Sequence, residues 1–182
     1  DLDRHGAGYR ACAAHPHPVT GPRALVGSTR SVPGGAQRML AALLPALVER
    51  GWDVHLLTGE GGYLTEQTRT AAINVTVDHA VAAPSRLLAA GDTDPFDVVL
   101  SLGASGHAWA GPAAAAHGTP ALWWMELGLA DRPVERRALA ITAAAVAAPT
   151  SEAATSLRAH LPAETVSVIA PGVDAIRLDP DD

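Results

Sequence analysis

The chain has 182 residues, of which 48% are hydrophobic, 18% charged and 4% aromatic, and these proportions are typical of a globular domain. Its 13 basic residues are all arginine and face 19 carboxylates, which leaves a formal net charge of −6. A chain without lysine has neither a P-loop nor a pyridoxal Schiff base. A net negative charge without a basic run argues against nucleic-acid binding.

The single cysteine, Cys12, excludes an internal disulfide and a multi-cysteine metal site. No charged residue occurs from 98 to 125, but glycine and proline interrupt this stretch, which indicates a buried strand, helix and strand rather than a membrane span. The N-terminus shows no signal-peptide pattern. We therefore expect a cytoplasmic protein without a transmembrane segment. Peripheral association of the full-length protein with a membrane is the alternative.

The two ends of the chain differ from its middle. Residues 1–22 are rich in His, Gly and Pro without sustained periodicity, so we expect a linker or the remnant of an upstream domain. A regular pattern begins at Arg23, and we expect one domain over residues 23–174. Residues 175–182 are expected to begin an interdomain linker.

Between these ends, short apolar runs alternate with segments of helical spacing. Strands are predicted at 24–29, 54–57, 73–77, 98–102, 121–124, 144–148 and 166–169. Helices are predicted at 36–50, 62–72, 85–90, 107–117, 134–141 and 152–161. Gly51 is expected to end the first helix, Pro45 to kink it, and Ser151 to cap the last one.

This alternation predicts a doubly wound α/β fold, a Rossmann-like parallel sheet of about seven strands with helices on both faces. Ligands of such sheets bind beyond the carboxyl ends of the strands, where the strand order reverses. The candidate loops are therefore 29–36, 102–107, 124–130 and 149–151.

The first of these loops contains paired glycines, Gly34 and Gly35, before a predicted helix. Glycines let a ligand approach the backbone closely, and the free N–H groups of a helix N-terminus attract an anion such as a diphosphate. The spacing is not Gly-x-Gly-x-x-Gly, which disfavours a dinucleotide site. A plain glycine turn into a helix remains the structural alternative.

The glycine pair is followed by Gln37-Arg38 and, after the predicted helix, by Arg50-Gly51-Trp52-Asp53-Val54. The later segments are Asp97-Val98-Val99, Gly118-Thr119-Pro120-Ala121, Pro149-Thr150-Ser151-Glu152-Ala153 and Ile169-Ala170-Pro171-Gly172-Val173-Asp174. In this order the segments resemble the opening, the middle section, the last helix start and the hinge of glycosyltransferases of family 4, which have the two-domain GT-B fold.

The resemblance implies the acceptor-side N-terminal domain of an enzyme that transfers a sugar from a nucleotide-sugar donor to an acceptor hydroxyl. The donor would be held mainly by a C-terminal domain absent from this chain, so the chain alone is expected to be inactive. Neither a cofactor nor a metal is expected, because the nucleotide sugar is a substrate.

The same resemblance assigns provisional roles to residues. Gly34 and Gly35 would lie against the donor diphosphate, and Gln37 and Arg38 would contact the acceptor. Ser105 and His107 are further candidate acceptor contacts, because they lie around the predicted loop after the fourth strand. Many relatives have a histidine after the fifth strand, where this chain has Glu126. A carboxylate there can accept the proton of the acceptor hydroxyl, so Glu126 is the candidate catalytic residue. Its structural alternative is a capping role or an ion pair with Arg132, Arg136 or Arg137.

Two other interpretations remain open at this point. One is a Rossmann-like nucleotide-binding domain of another class, in which Glu60 would stand at the ribose position after the second strand. The other is a degenerate, non-catalytic glycosyltransferase half that acts in protein contacts.

Overall fold

A computed structural model of the protein describes residues 21–91, 94–126 and 128–172. Outside the described residues lie positions 1–20 of the expected linker 1–22, the expected linker 175–182, Cys12 and the hinge residues Val173 and Asp174.

Seven strands form a single, entirely parallel sheet in the order β3-β2-β1-β4-β5-β6-β7. The strands are β1 (Arg23–Ser28), β2 (Asp53–Thr58), β3 (Asn74–Val77), β4 (Val98–Leu102), β5 (Ala121–Trp124), β6 (Ala145–Ala148) and β7 (Val166–Val168). The order runs outward from β1 in one direction and from β4 in the other. The strand order therefore reverses between β1 and β4, and the predicted fold class is confirmed.

In the described part of the chain, six helices connect the strands: α1 (Gly35–Glu49), α2 (Tyr63–Gln67), α3 (Ala83–Ala90), α4 (Gly103–Ala116), α5 (Pro133–Leu139) and α6 (Ser151–Arg158). A short 3₁₀ turn at Ala163–Thr165 precedes β7. The second helix is much shorter than the predicted 62–72, because the segment after Gln67 turns before β3.

The core lies on both faces of the sheet, as expected for parallel strands. On one face, Leu25 packs with residues of α3 and α4, including Leu88 and Ala110. On the other face, Val26 packs against α1 through Leu40 and Leu44. The alternation of Leu25 and Val26 between the two faces follows from the two-residue period of a strand.

The helix ends follow local chemistry that was partly visible in the sequence. Gly51 has φ +85° and follows Arg50, the C-cap of α1, as predicted. The helix runs through Pro45 without interruption. The predicted cap of α6 is wrong by one residue. Thr150, not Ser151, is the N-cap, and its hydroxyl accepts the backbone N–H of Ala153 at 3.2 Å.

The junction between β4 and α4 differs most from the sequence prediction. The expected loop at 102–107 does not exist, because α4 begins at Gly103, directly after β4 ends at Leu102. Gly103 makes this possible with φ +65°, in the left-handed region that glycine adopts at little cost. The first turn of α4 therefore stands where a ligand loop was predicted.

Candidate functional site

The carboxyl ends of β1 and β4 meet at the point where the strand order reverses. Across this point the Thr29 and Ser105 hydroxyl groups form a hydrogen bond of 2.9 Å, although the residues are 76 positions apart in the chain. Ser105 lies in the first turn of α4 and is exposed. The predicted site residue Ser105 therefore lies at the edge of the sheet where ligands of such folds bind.

The segment that follows β1 is held by several hydrogen bonds. Ser31 is fully buried. Its backbone N–H donates to Glu60 Oε1 at 3.0 Å, and its hydroxyl oxygen accepts the backbone N–H groups of Leu64 and Thr65 at 3.1 and 3.3 Å. These bonds join the loop after β1 to the start of α2 and fix the approach to the glycine pair.

In the interpretation as a nucleotide-binding domain of another class, Glu60 is the carboxylate that would bind the ribose. It does follow β2, but its carboxylate accepts the Ser31 N–H. Glu60 therefore has a structural partner within the loop after β1.

The glycine pair stands at the N-terminus of α1. Gly34 is the N-cap in an extended conformation, and Gly35 is the first helical residue. A Cβ on Gly35 would meet nothing within 4 Å, whereas one on Gly34 would lie 2.6 Å from Gln37 Oε1. Gln37 therefore folds back over Gly34, and the backbone at Gly35 faces open space.

The side chains around the glycine pair differ in exposure. Gln37 is buried, with 8% of its surface exposed. Arg30 and Arg38 are both exposed. Among the described residues, no carboxylate lies within 4.0 Å of either guanidinium, in contrast to the ion-paired arginines Arg23, Arg86, Arg132 and Arg136.

Glu126 follows β5 and lies over the junction between β4 and α4. Its Oε1 is 3.0 Å from the position that a Cβ on residue 103 would occupy, so Gly103 provides the room for this carboxyl group. Partial burial raises the pKa of Glu126 above its ordinary value, while the charges of Arg30 and Arg132 act in the opposite direction. The carboxyl group therefore binds a proton more readily than that of a fully solvated glutamate, although Glu126 keeps an exposed surface.

The structure assigns other partners to the arginines that had been considered for Glu126. Arg132 donates through Nε to Glu135 Oε1 at 2.7 Å, and Arg136 pairs with Asp131 at 2.8 Å. In the described part of the chain, Arg137 has no carboxylate within 4.0 Å. The structural alternative for Glu126, a direct ion pair with one of these arginines, is not formed.

Glu135 is a buried carboxylate that sequence reasoning missed. It is 1% exposed and accepts the backbone N–H groups of Ala130 and Arg132 at 2.8 and 3.0 Å, in addition to the Arg132 guanidinium. Burial opposes its ionisation, but the hydrogen bonds from Arg132 and Ala130 outweigh burial and lower the pKa of Glu135. Glu135 therefore holds the segment 130–132, which leads from the Glu126 region into α5.

The structure places His107 in the interior. The residue has no exposed surface, its Nδ1 lies 3.0 Å from Ser101 Oγ, and its Nε2 lies 3.3 Å from the Ile141 carbonyl oxygen. Its ring stacks on Trp123. The helix start at Gly103 moves residue 107 into the second turn, so we assign His107 to the core instead of the acceptor site.

The two adjacent tryptophans point to opposite faces, as the strand period predicts. Trp123 is fully buried beside α4, α5 and α6, whereas Trp124 is partly buried on the α1 face. Among the described atoms, the Trp123 indole N–H is buried without a hydrogen-bond partner. Both tryptophan rings therefore pack in the hydrophobic core.

The described residues contain neither a cluster of metal-binding side chains nor a membrane-spanning helix. No group of three or more His, Cys, Asp and Glu side chains in the described ranges is arranged to hold a metal ion. The absence of a metal requirement stays a prediction. None of the helices in this part of the chain has the length and apolarity needed to cross a membrane.

The fold is shared with several solved structures. HepE from Anabaena, in complex with UDP-glucose, matches with a TM-score of 0.71 at 17% identity, over 84% of this chain and 44% of that one. The lipopolysaccharide outer core galactosyltransferase WaaB, in its apo form, matches with a TM-score of 0.66 at 12% identity, over 85% and 46%. A putative UDP-N-acetylglucosamine 2-epimerase from Listeria monocytogenes matches with a TM-score of 0.58 at 18% identity, over 79% and 43%.

Identities of this size show a shared fold, and the presence of an epimerase shows that the fold serves more than one reaction. The chain spans less than half the length of each of these structures. No curated protein sequence matches the chain.

The sequence comparison with protein families is more specific than the fold. The model of Glycosyltransferase Family 4 matches residues 33–177, which is well over half of the chain and includes the glycine pair, Glu126 and α6. This chain therefore belongs to glycosyltransferase family 4.

Proposed function

We propose that this chain is the acceptor-binding N-terminal half of a glycosyltransferase that moves a hexose from a nucleotide-sugar donor to an acceptor hydroxyl. Family membership supports the reaction class. The structural observation that carries the proposal is the open backbone at Gly35, beside the point where the strand order reverses.

Gly35 is a glycine that the packing of this chain does not require. Its φ is not in the left-handed region, and a Cβ would meet nothing within 4 Å. The residue begins a 15-residue helix, whose first N–H groups have no partner within the helix. A diphosphate placed against Gly34 and Gly35 would accept these N–H groups at a distance that a side chain at 35 would prevent.

Glu126 is the residue we propose for proton transfer. The acceptor hydroxyl oxygen would form a bond to the anomeric carbon of the donor sugar as the bond from that carbon to the diphosphate oxygen breaks. Glu126 would take the hydroxyl proton, and the nucleoside diphosphate would leave with the bonding electron pair. The raised pKa of Glu126 makes its carboxylate a better proton acceptor than that of a fully solvated glutamate.

Gln37, Arg38 and Ser105 are proposed acceptor contacts. Ser105 is exposed where the strand order reverses and is held by Thr29. Arg38 lies in the first turn of α1, and its guanidinium has no carboxylate within 4.0 Å among the described residues. Gln37, folded over Gly34, would turn its amide toward a ligand at the same helix end. The proposal leaves out His107, because its ring is enclosed by the core.

We further propose that a second, C-terminal domain holds most of the donor, so that this chain alone does not turn over. The structures that share the fold are more than twice as long as the matched segment. Neither a metal nor a cofactor is part of the proposed reaction, and we place the protein in the cytoplasm.

The first test compares this chain with a longer product that includes the residues after position 182. Each is assayed for glycosyl transfer with UDP-glucose and UDP-galactose as donors against a panel of sugar acceptors. We expect transfer by the longer protein and none by this chain. Sustained turnover by this chain alone would overturn the proposed division of roles, and nicotinamide binding would favour a dinucleotide domain.

The second test isolates the glycine pair. In the longer protein, Gly35→Ala should lower transfer at least about tenfold, because the new methyl group displaces the diphosphate from the helix N–H groups. Gly61→Ala is the matched control, since a Cβ at Gly61 also meets nothing within 4 Å. The free energy of unfolding of each variant should lie within about 0.5 kcal/mol of that of the unmodified protein. Full activity of Gly35→Ala would remove the proposed diphosphate contact.

A further inference from the structure

Two exposed arginines flank the glycine pair, in a chain whose net charge is −6. Arg30 precedes the pair and Arg38 follows it, and no described carboxylate lies within 4.0 Å of either guanidinium. Of the two, Arg30 lies next to Thr29, whose hydroxyl meets Ser105. Arg30 therefore places a positive charge beside the proposed acceptor contact.

The backbone around Arg30 is fixed on three sides. The Ser28 hydroxyl donates to the Arg30 carbonyl oxygen at 2.7 Å, Thr29 is bonded to Ser105, and the N–H of Ser31 is bonded to Glu60. The exposed side chain of Arg30 thus extends from an anchored backbone. An anchored backbone loses little conformational entropy when its side chain binds a ligand.

Glu126 follows β5, which lies two strands from β1, so that Glu126 and Arg30 both lie at the carboxyl edge of the parallel sheet. Its carboxyl group covers Gly103 at the end of β4, and β4 lies beside β1, from which Arg30 follows. The charges of Arg30 and Arg132 both act on Glu126. Arg132 already forms an ion pair with the buried Glu135. Of Arg30 and Arg132, Arg30 is therefore the one whose guanidinium is available to bind a ligand.

We propose that Arg30 binds an oxyanion on the acceptor, so that the acceptor is a sugar or polyol carrying a phosphate or carboxylate group. This inference rests on the proposed acceptor-binding role. A guanidinium donates two parallel hydrogen bonds to such a group. The acceptor would then be held at two points, with its oxyanion on Arg30 and its reacting hydroxyl on Glu126.

The experiment uses ligands that differ in charge while sharing a sugar ring. Glucose 6-phosphate, glucuronate and glucose are titrated into this chain, and backbone amide shifts are followed by NMR. We expect the two anionic sugars to bind at least about tenfold more tightly than glucose, with the largest shifts at Thr29, Ser31 and Ser105. Inorganic phosphate should compete with both.

Arg30→Gln should abolish the difference between charged and neutral sugars. Arg69→Gln is the matched control, because Arg69 is also exposed and has no described carboxylate within 4.0 Å, but follows α2 away from Glu126. UDP is titrated against the same variants to separate acceptor from donor. A loss of UDP binding in Arg30→Gln as large as the loss of glucose 6-phosphate binding would assign Arg30 to the donor diphosphate and overturn the inference.

The remaining outcomes separate this inference from the function on which it rests. Equal binding of glucose and glucose 6-phosphate at these residues would overturn the preference for an anionic acceptor and leave the acceptor-binding role intact. If none of the three sugars bound, the acceptor-binding role of this half would fail, and the assignment of Arg30 with it.

Discussion

His107 and Trp123 stack face to face in the interior, with ring centroids 4.9 Å apart and planes 4° from parallel. His107 also contacts Ser101 and the Ile141 carbonyl through its two ring nitrogens. The residue thus connects α4 with β4, β5 and the segment after α5.

We expect His107→Phe to destabilise the fold by about 1–3 kcal/mol, because it removes both ring nitrogens and leaves the Ile141 carbonyl without this donor. Phenylalanine keeps an aromatic ring against Trp123, so the change isolates the polar contacts. Urea unfolding measures the effect. His160→Phe, at an exposed position, should change stability by about 0.5 kcal/mol or less, and equal stability of the two variants would contradict the role given to His107.

The pH dependence of stability should report the same histidine. Burial lowers the pKa of His107 below its ordinary 6.5, while the hydrogen bond to Ile141 partly opposes this effect. The unfolded chain therefore takes up the proton first as the pH falls. The contribution of neutral His107 to the free energy of unfolding is therefore present above pH 6.5 and is lost as the pH falls through the folded-state pKa of His107.

Unfolding free energies measured from pH 8 down to pH 5 should decrease less steeply in His107→Phe than in the unmodified chain. Some slope should remain, because burial also lowers the pKa of His55. Identical slopes for the two proteins would show that His107 does not titrate differently in the folded state.

Gly103→Ala should destabilise the chain by about 1–3 kcal/mol, since a non-glycine residue is strained at φ +65°. The added methyl group would also lie 3.0 Å from Glu126 Oε1 and push the carboxyl group aside. Thermal unfolding measures the stability, and NMR titration of the Glu126 carboxyl measures the displacement. Gly61→Ala is the control, and an equally small effect at both positions would contradict this account of the junction.

Thr150→Ala should cost about 0.5–2 kcal/mol, because the Thr150 hydroxyl accepts an N–H in the first turn of α6. Ser151→Ala removes a hydroxyl one residue later, where it does not cap the helix, and should cost about 0.5 kcal/mol or less. Chemical denaturation of the two variants distinguishes them. The reverse order would restore Ser151 as the cap.

Glu135→Gln should destabilise the segment that leads into α5. Glutamine keeps one acceptor oxygen where glutamate has two, so it cannot accept from the backbone and the guanidinium as before. We expect a loss of about 1–3 kcal/mol, and faster amide hydrogen exchange at Ala130 and Arg132. Glu164→Gln, at an exposed position, is the control, and unchanged exchange would argue against Glu135 as the anchor.

The strands and their parallel arrangement could be predicted because apolar runs with short spacing are local features of the sequence. The contacts of the site are not local. Thr29 meets Ser105 across 76 positions, and Ser31 meets Glu60 across 29. The periodicity of a sequence does not identify such partners, because they depend on the order of the strands in the sheet.

Two errors have a common physical origin. The sequence predicts Gly103 and Gly106 in a loop, but Gly103 supports an abrupt helix start and Gly106 lies against the Gly27 carbonyl of β1. This close packing needs residues without side chains. The sequence also predicts His107 as the first residue of the helix, beside that loop, whereas it lies in the second turn of α4.

The absence of a connecting loop between β4 and α4 has a consequence for how this domain can diversify. Insertions are tolerated in surface loops far better than within packed elements. A junction of two consecutive residues, Leu102 and Gly103, offers no such position. Variants selected for new acceptors should accumulate length changes after β1, β3 and β5, while the residues between β4 and α4 keep their number.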